Sequence, residues 1–274
     1  MDKIRIAIIG VGNIGAAIAN GLVSSARFAL GDITLTRRRV HLLEAMKQQG
    51  FGIAGNNRDA VRTSDVIIIA VEPQQIDGVL AEIASDLVPG RHILISVVTG
   101  VRTEQIARQI GEGIAVVRAM PNTAIAVRES MTCIASEVAD GPALAVARSI
   151  FDTVGRTIVI SEEEMIAATA LGACGVAFFL RAIRAASQGG IEIGFRSADA
   201  LAIAAQTARG AASLLLATGH HPEDEIDRVT TPRGCTIAGL NQMEHEGFSS
   251  AMITGITVSA QRASQLYTRP RDED

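Results

Sequence analysis

Tryptophan is absent from the 274 residues, tyrosine occurs once, and aromatic residues make up only 3% of the chain. The core cannot be built around rings. It has to come from the Ala, Ile, Val and Leu that dominate the 48% apolar fraction. That composition suits close helix packing and buried parallel strands better than a twisted antiparallel sandwich. Cysteine is scarce too: Cys133, Cys174 and Cys235 are odd in number, and none forms a Cys-x-x-Cys pair. Neither a disulfide framework nor a zinc site is expected, which fits a reduced, cytoplasmic setting. No uninterrupted apolar run reaches the length of a membrane span, so none is expected. Met1-Asp2-Lys3-Ile4 leads straight into an apolar strand pattern, with no charged segment and cleavage site, so no signal peptide is expected. The net charge is −4, and no basic stripe is interleaved with aromatics, so no nucleic-acid partner is expected. Lysine stops at Lys47; every later Lys/Arg position is arginine.

What is present is alternation. Short β-branched runs at 4–9, 33–36, 66–71, 92–97 and 114–118 read as strands. Helical patterns at 14–24, 39–49 and 73–84 lie between them. This order argues for a parallel sheet covered on both faces. A later pair of strands, 130–135 and 156–160, brackets a helix at 141–154 and extends the sheet. After Ser161 the texture changes. Ala- and Leu-rich helical patterns run through 162–188, 197–218, 236–246 and 249–267, with no strand among them. The expected organisation is an α/β dinucleotide-binding domain over 1–160, of the doubly wound Rossmann type, followed by an all-α domain over 161–274. The helices of the second part are apolar on several faces, and all-round apolarity means burial. A second copy covering them, giving a homodimer, is the economical reading.

Gly10-Val11-Gly12-Asn13-Ile14-Gly15 follows the first strand and opens the first helix. Gly10 permits a tight turn, Gly12 lets the backbone approach a pyrophosphate, and Gly15 lets helix meet strand. The backbone of Asn13 and Ile14 then sits at the helix N-terminus, facing the phosphates. NAD sites place an acid at the end of the second strand for the ribose 2′-hydroxyl. Here that strand ends Thr36-Arg37-Arg38-Arg39, and Asp32 lies at its other end. Guanidinium groups pair with a 2′-phosphate, so NADPH is expected, with NADH weaker. Arg37 and Arg38 are the nearest to the strand tip. Asn122, in a turn after a sheet strand, can offer donor and acceptor to the nicotinamide or its ribose; as a residue after proline it can equally be a turn former.

The chain resembles the pyrroline-5-carboxylate reductase family over almost its full length. The motifs are Ala70-Val71-Glu72-Pro73-Gln74, Ser96 to Val101, Arg118-Ala119-Met120-Pro121-Asn122-Thr123, and above all Val229 to Leu240 with Thr230-Thr231-Pro232-Arg233-Gly234-Cys235-Thr236 inside it. The resemblance implies reduction of the C=N bond of 1-pyrroline-5-carboxylate to L-proline, a helical dimerisation domain, and a ring of five dimers, a homodecamer. It implies that Ala70, Val71 and Pro73 border the cofactor. It also implies that backbone N–H groups at Gly234 and Cys235 receive the substrate carboxylate, while Thr236 meets the ring nitrogen. Without the resemblance, Thr236 reads as a helix N-cap, and Thr231-Pro232 as a cap followed by proline at the first helical position.

Several positions depart from the family. Glu72 stands where it usually has lysine, and Arg233 where it has a second glycine. Gly172-Ala173-Cys174-Gly175-Val176-Ala177-Phe178 replaces Ser-Gly-Ser-Gly-Pro-Ala-Tyr. Arg233 could bind the substrate carboxylate or crowd it. The alternatives are therefore a reductase of another cyclic or secondary imine, or a catalytically weak NADP-binding homologue. β-Hydroxyacid dehydrogenases need a lysine in the second domain, and none follows Lys47. A His–carboxylate dyad at His220 or His221 with Glu223 or Asp224 would fall in a Gly/Pro turn that reads as surface.

Overall fold

A computed structural model describes residues 4–136 and 141–266. Met1 to Lys3, on which the signal-peptide expectation rests, lie outside the described residues. The sheet is built from β1 (Ile6–Ile9), β2 (Ile33–Thr36), β3 (Gly52–Ile53), β4 (Val66–Ile69), β5 (Ile93–Ser96), β6 (Ala115–Met120), β7 (Ser130–Ser136) and β8 (Gly155–Val159). Their order across the sheet is β3-β2-β1-β4-β5-β6-β7-β8. The first six strands follow the doubly wound dinucleotide-binding order.

The sequence builds both faces from the same strands, because successive side chains point to opposite sides. Ile6 and Ile8 join Ile18 and Leu22 of α1 (Asn13–Ser24) on one face, with Ile150 and Phe151 of α6 (Pro142–Phe151). Ala7 and Ile9 join the other face, against Ile76 and Leu80 of α4 (Ile76–Ile83) and Ile106 of α5 (Thr103–Ile110). Burial on both faces requires runs such as Val66-Ile67-Ile68-Ile69 with no polar alternation.

The sheet is mixed rather than wholly parallel. β7 runs antiparallel to β6, and β8 parallel to β7. No crossover helix separates β6 from β7; a 3-10 turn over Thr123–Val127, closed by Arg128 at φ 61°, doubles the chain back. Such a short connection can only join antiparallel neighbours. The helix expected over 39–49 starts as a 3-10 turn, Val40–Leu43, before α2 (Glu44–Gln49). β3, α3 (Asn57–Arg62) and α5 have no counterpart in the sequence reading above.

His92 lies just before β5 and is only 2% exposed. Its Nδ1 accepts the Val88 N–H at 2.9 Å. Burial pushes its pKa below the usual 6.5, and neighbouring Arg91 acts in the same direction. A histidine depressed in the folded state stabilises fully above its unfolded pKa. That stability is lost as pH falls below about 6.5 towards the folded value, because the unfolded chain then binds the proton more readily. The urea midpoint should fall across this acid window. His92→Asn, which can still accept from Val88, should flatten that part of the profile; an unchanged slope would remove His92 as its origin.

The described residues divide into two compact units, one running to Cys174 and resuming at Ser259, the other Gly175–Val258. The compositional change comes earlier, after Ser161. The difference is packing. Met165 in α7 (Met165–Ala168), with Ala168 and Ala173, closes on Met120, Cys133 and Ala135 of the sheet. Arg118 Nη1 on β6 meets Glu162 Oε1 at 2.6 Å, and the Thr103 hydroxyl donates to Glu162 Oε2 at 2.9 Å.

The second unit contains α8 (Gly175–Glu192), α9 (Ser197–Thr218), α10 (Pro222–Val229), α11 (Cys235–His245) and the first part of α12 (Phe248–Ala263). α8 and α9 pack on each other, with Ala200 approaching Gly190. Large apolar side chains nevertheless stay in the open: Ile193 is 78% exposed, Leu216 66% and Phe179 61%. Two helical stretches, Glu162–Glu192 and Ser197–Thr218, are long and apolar enough by length and composition to cross a membrane. The absence of an uninterrupted apolar run therefore does not exclude a span as the sequence reading had it.

Candidate cofactor and substrate sites

The first site grows out of the turn after β1. Gly10 and Val11 both donate their N–H to the Thr36 carbonyl, at 3.1 and 3.0 Å, which ties the turn to the tip of β2. Gly10 has φ +87°, and a Cβ there would lie 2.4 Å from Val71 Cγ1 and 2.9 Å from the Ala70 carbonyl oxygen. Only glycine satisfies both the angle and the space. A Cβ on Gly15 would meet the Gly10 oxygen at 3.1 Å, so α1 can lie this close to the turn. Gly12 faces open space, with nothing within 4 Å of a built Cβ. It is also the N-cap of α1, with no side-chain cap bond and no acidic residue in the first turn. The helix N-terminus is left bare, as a phosphate requires.

A cleft of about 850 Å³ opens at this point. Of the sequence-predicted residues, Gly10, Gly12, Arg37, Arg38, Ala70 and Val71 line it. Gly15 lies beneath it, and Asn13, Ile14, Pro73 and Asn122 are not among its lining residues. Arg37, Arg38 and Arg39 are exposed, and no hydrogen bond or ion pair engages their guanidinium groups among the described residues. Asp32 is occupied elsewhere, accepting the Ala29 N–H at 3.1 Å.

The sequence reading missed one wall of this cleft. Thr36 Oγ1 donates to Asn57 Oδ1 at 2.7 Å, and Asn57 Nδ2 donates to Glu82 Oε2 at 2.7 Å. All three residues line the cleft. The available signal was Asn56-x-x-Asp59, a capping pattern: Asn56 Oδ1 accepts the Asp59 N–H at 2.9 Å and starts α3. Glu72 also lines the cleft, and its carboxylate accepts from Gln75 Nε2 at 3.0 Å instead of pairing with an arginine.

Asn122 is 8% exposed, with both ends of its amide engaged. Oδ1 accepts the Ala124 N–H at 3.0 Å, and Nδ2 donates to the Gly172 carbonyl at 3.1 Å. Gly172 belongs to a π-helical turn, Thr169–Cys174, at the start of the segment that departs from the family.

The second site lies wholly within the second unit. Thr231-Pro232-Arg233-Gly234 is a turn closed by the Gly234 N–H on the Thr231 carbonyl at 2.9 Å. Proline followed by a left-handed residue, Arg233 at φ 59°, is the pattern of a type II turn. A Cβ on Gly234 would fall 2.5 Å from Thr231 Oγ1. α11 begins at Cys235, with Gly234 as N-cap and no side-chain cap bond. Thr236 is therefore not the N-cap, and Thr231-Pro232 does not start the helix; both readings made without the resemblance are set aside. The Thr236 hydroxyl has no hydrogen-bond partner among the described residues. His220, by contrast, is tied to Glu225 at 2.7 Å, and His221 caps α10, which accounts for both structurally.

The chain matches known proteins along its length. Residues 162–266 match the family described as pyrroline-5-carboxylate reductase dimerisation, and residues 5–100 that described as NADP oxidoreductase coenzyme F420-dependent. Pyrroline-5-carboxylate reductase 1 of Dictyostelium discoideum is 51% identical over 96% of this chain, which spans 50% of that protein's length. Pyrroline-5-carboxylate reductase 2 of the same organism is 48% identical over 95% of this chain and 92% of its own. Among solved structures, a Plasmodium falciparum pyrroline carboxylate reductase with NADP bound has the same fold, with a TM-score of 0.86 at 21% identity, covering 98% of this chain and 100% of its own. With a dinucleotide-type cleft in one unit, a dimerisation match over the other, and a near full-length relative at 48% identity, the chain belongs to the pyrroline-5-carboxylate reductase family.

Proposed function

We propose that the chain reduces the C=N bond of 1-pyrroline-5-carboxylate to L-proline in the cytoplasm, with NADPH preferred to NADH. The observation that carries this is the near full-length match to reductases of that name. The cleft agrees with it: a bare helix N-terminus and three arginines with no partner among the described residues suit a phosphorylated dinucleotide. Gly12, with the backbone of Asn13 and Ile14, holds the pyrophosphate. Arg37 and Arg38 take the 2′-phosphate, and Ala70, Val71 and Pro73 border the cofactor. When bound, NADPH supplies the hydride for the imine carbon.

The chain's own task is alignment. A protonated imine is already electrophilic, so holding it in register supplies much of the rate. The Gly234 and Cys235 N–H groups receive the carboxylate, with Arg233 beside them. The Thr236 hydroxyl accepts from the iminium N–H. In functional terms, residues 1–160 bind the cofactor, while 161–274 bind substrate and dimerise. The exposed apolar faces of the second unit support cover by a second copy rather than a bilayer, since the dimerisation match runs through both membrane-length helices. Five such dimers form the ring that the family resemblance implies.

The test is NADPH oxidation by the purified chain with pyrroline-5-carboxylate and a panel of cyclic and secondary imines, with proline identified as product. Turnover of another imine alone would move the substrate assignment. NADPH binding without turnover of any imine would leave a catalytically weak homologue. Sedimentation of the same sample reads the oligomer, and a monomer would overturn the cover argument.

A further inference from the structure

Asn122 lies two residues past β6, at the carboxyl edge of the parallel strands, where open α/β sheets take their ligands. Three bonds fix it. Its own N–H donates to the Ser130 hydroxyl at 3.1 Å, its Oδ1 caps the 3-10 turn at Ala124, and its Nδ2 donates to the Gly172 carbonyl at 3.1 Å. The partner carbonyl sits inside the π-turn Thr169–Cys174. Turns of this kind are rare and cluster at functional sites, where they re-aim the backbone.

The same segment is held at its other end by Glu162, between Arg118 and the Thr103 hydroxyl. Between the two ends it closes on the sheet through Met165 and Ala168. Residues 162–174 are thus clamped twice, and the Asn122 amide is the clamp that touches the π-turn directly.

We propose that Asn122 is a positioning residue for imine reduction. Its amide fixes the π-turn Thr169–Cys174 against the carboxyl end of β6, and it acts through Gly172 instead of touching the cofactor. The inference rests on the reading of the chain as an NADPH-dependent imine reductase. Misplacing a supporting segment by about an ångström can cost on the order of a hundredfold in rate, so one amide bond at this position has leverage on kcat.

Two variants separate the amide's two jobs. Asn122→Asp is nearly isosteric and can still accept the Ala124 N–H, but an ionised carboxylate has no proton for Gly172. Asn122→Ser retains a capping oxygen and is too short to reach Gly172. Both should lower kcat by about tenfold or more while the KM for NADPH stays near that of the parent chain; the thermal midpoint falls as well, because a buried carbonyl loses its donor. For Asn122→Asp, the ratio of its kcat to the parent's should recover as pH falls from about 8 to about 5, because burial against the Gly172 carbonyl raises the introduced acid's pKa and the protonated acid regains the missing donor. Asn122→Ser should show no such recovery. A raised NADPH KM with kcat intact would mean that Asn122 meets the cofactor, and would overturn the proposal. So would a loss of thermal stability alone, or an Asn122→Asp ratio that does not change with pH. If the parent chain turns over no imine with NADPH, the functional reading itself fails and this inference falls with it.

Discussion

Replacing Arg37 and Arg38 together with alanine should weaken NADPH binding by about 10²- to 10⁴-fold and leave NADH binding nearly unchanged. The size follows from two charge-assisted hydrogen bonds at about 1.5–3 kcal/mol each. The selectivity follows from the local geometry. Both guanidinium groups lie on the cleft beyond the tip of β2 and have no competing partner among the described residues, so neither must leave an ion pair to take a phosphate. The acid that would serve a ribose 2′-hydroxyl is missing from that tip. Asp32 stands at the other end of the strand and is committed to the Ala29 N–H. The carboxylates that do reach the cleft are held by amides, Glu82 by Asn57 and Glu72 by Gln75. Titration by cofactor fluorescence at several salt concentrations reads the effect, and the parent's NADPH affinity should fall as salt rises, since exposed charges are screened. Equal losses for NADPH and NADH would sink the assignment of the arginines to the 2′-phosphate.

The parts of this cleft legible in the sequence are those whose chemistry is contiguous. The turn from Gly10 to Gly15 carries its own explanation, because Gly10 and Gly15 are required by backbone lying within about 3 Å, while Gly12 leaves the helix N-terminus open. The strands were legible because burial on both faces leaves runs such as Ile6-Ala7-Ile8-Ile9 with no polar alternation. The wall formed by Thr36, Asn57 and Glu82 was not. Asn57 and Glu82 are 25 residues apart, and Asn57 opens a six-residue helix that follows β3, itself only two residues long. Elements that short have no hydrophobic period to read. The extent of the first unit was hidden for a similar reason. Composition changes after Ser161, but packing continues to Cys174, because Arg118 reaches a glutamate 44 residues away. Asn122 shows the limit from the other side. The sequence identified a polar residue at the right edge of the sheet, and only the fold brings Gly172 to its amide as a partner.

Thr236→Ala should lower kcat/KM for the imine by about 10- to 100-fold, the value of one hydrogen bond to a charged group. The structure sharpens this expectation by removing the competing one. Gly234 is the N-cap of α11 and Thr236 lies one residue inside the helix, so its hydroxyl does not cap the helix. Thermal stability should therefore change little, whereas loss of a true cap would cost about 1 kcal/mol. Cofactor affinity should also hold, because the dinucleotide's phosphates are assigned to the first unit. Arg233 supplies the matched control. At φ 59° it occupies a turn position that glycine takes without strain, and an L-residue there costs about 1–2 kcal/mol. Glycine relieves that strain but adds about 0.4–1 kcal/mol of unfolded-state entropy, so Arg233→Gly should leave stability slightly raised. Any large kinetic effect then comes from the guanidinium itself. If Arg233 pairs with the substrate carboxylate, KM rises in Arg233→Gly with kcat nearly unchanged, since uniform binding is what is lost. If it crowds the loop, KM falls instead. Should Thr236→Ala leave turnover of every imine intact, the loop from Gly234 to Thr236 is not the substrate site. The strained Arg233 would then be the remaining feature of that turn to explain.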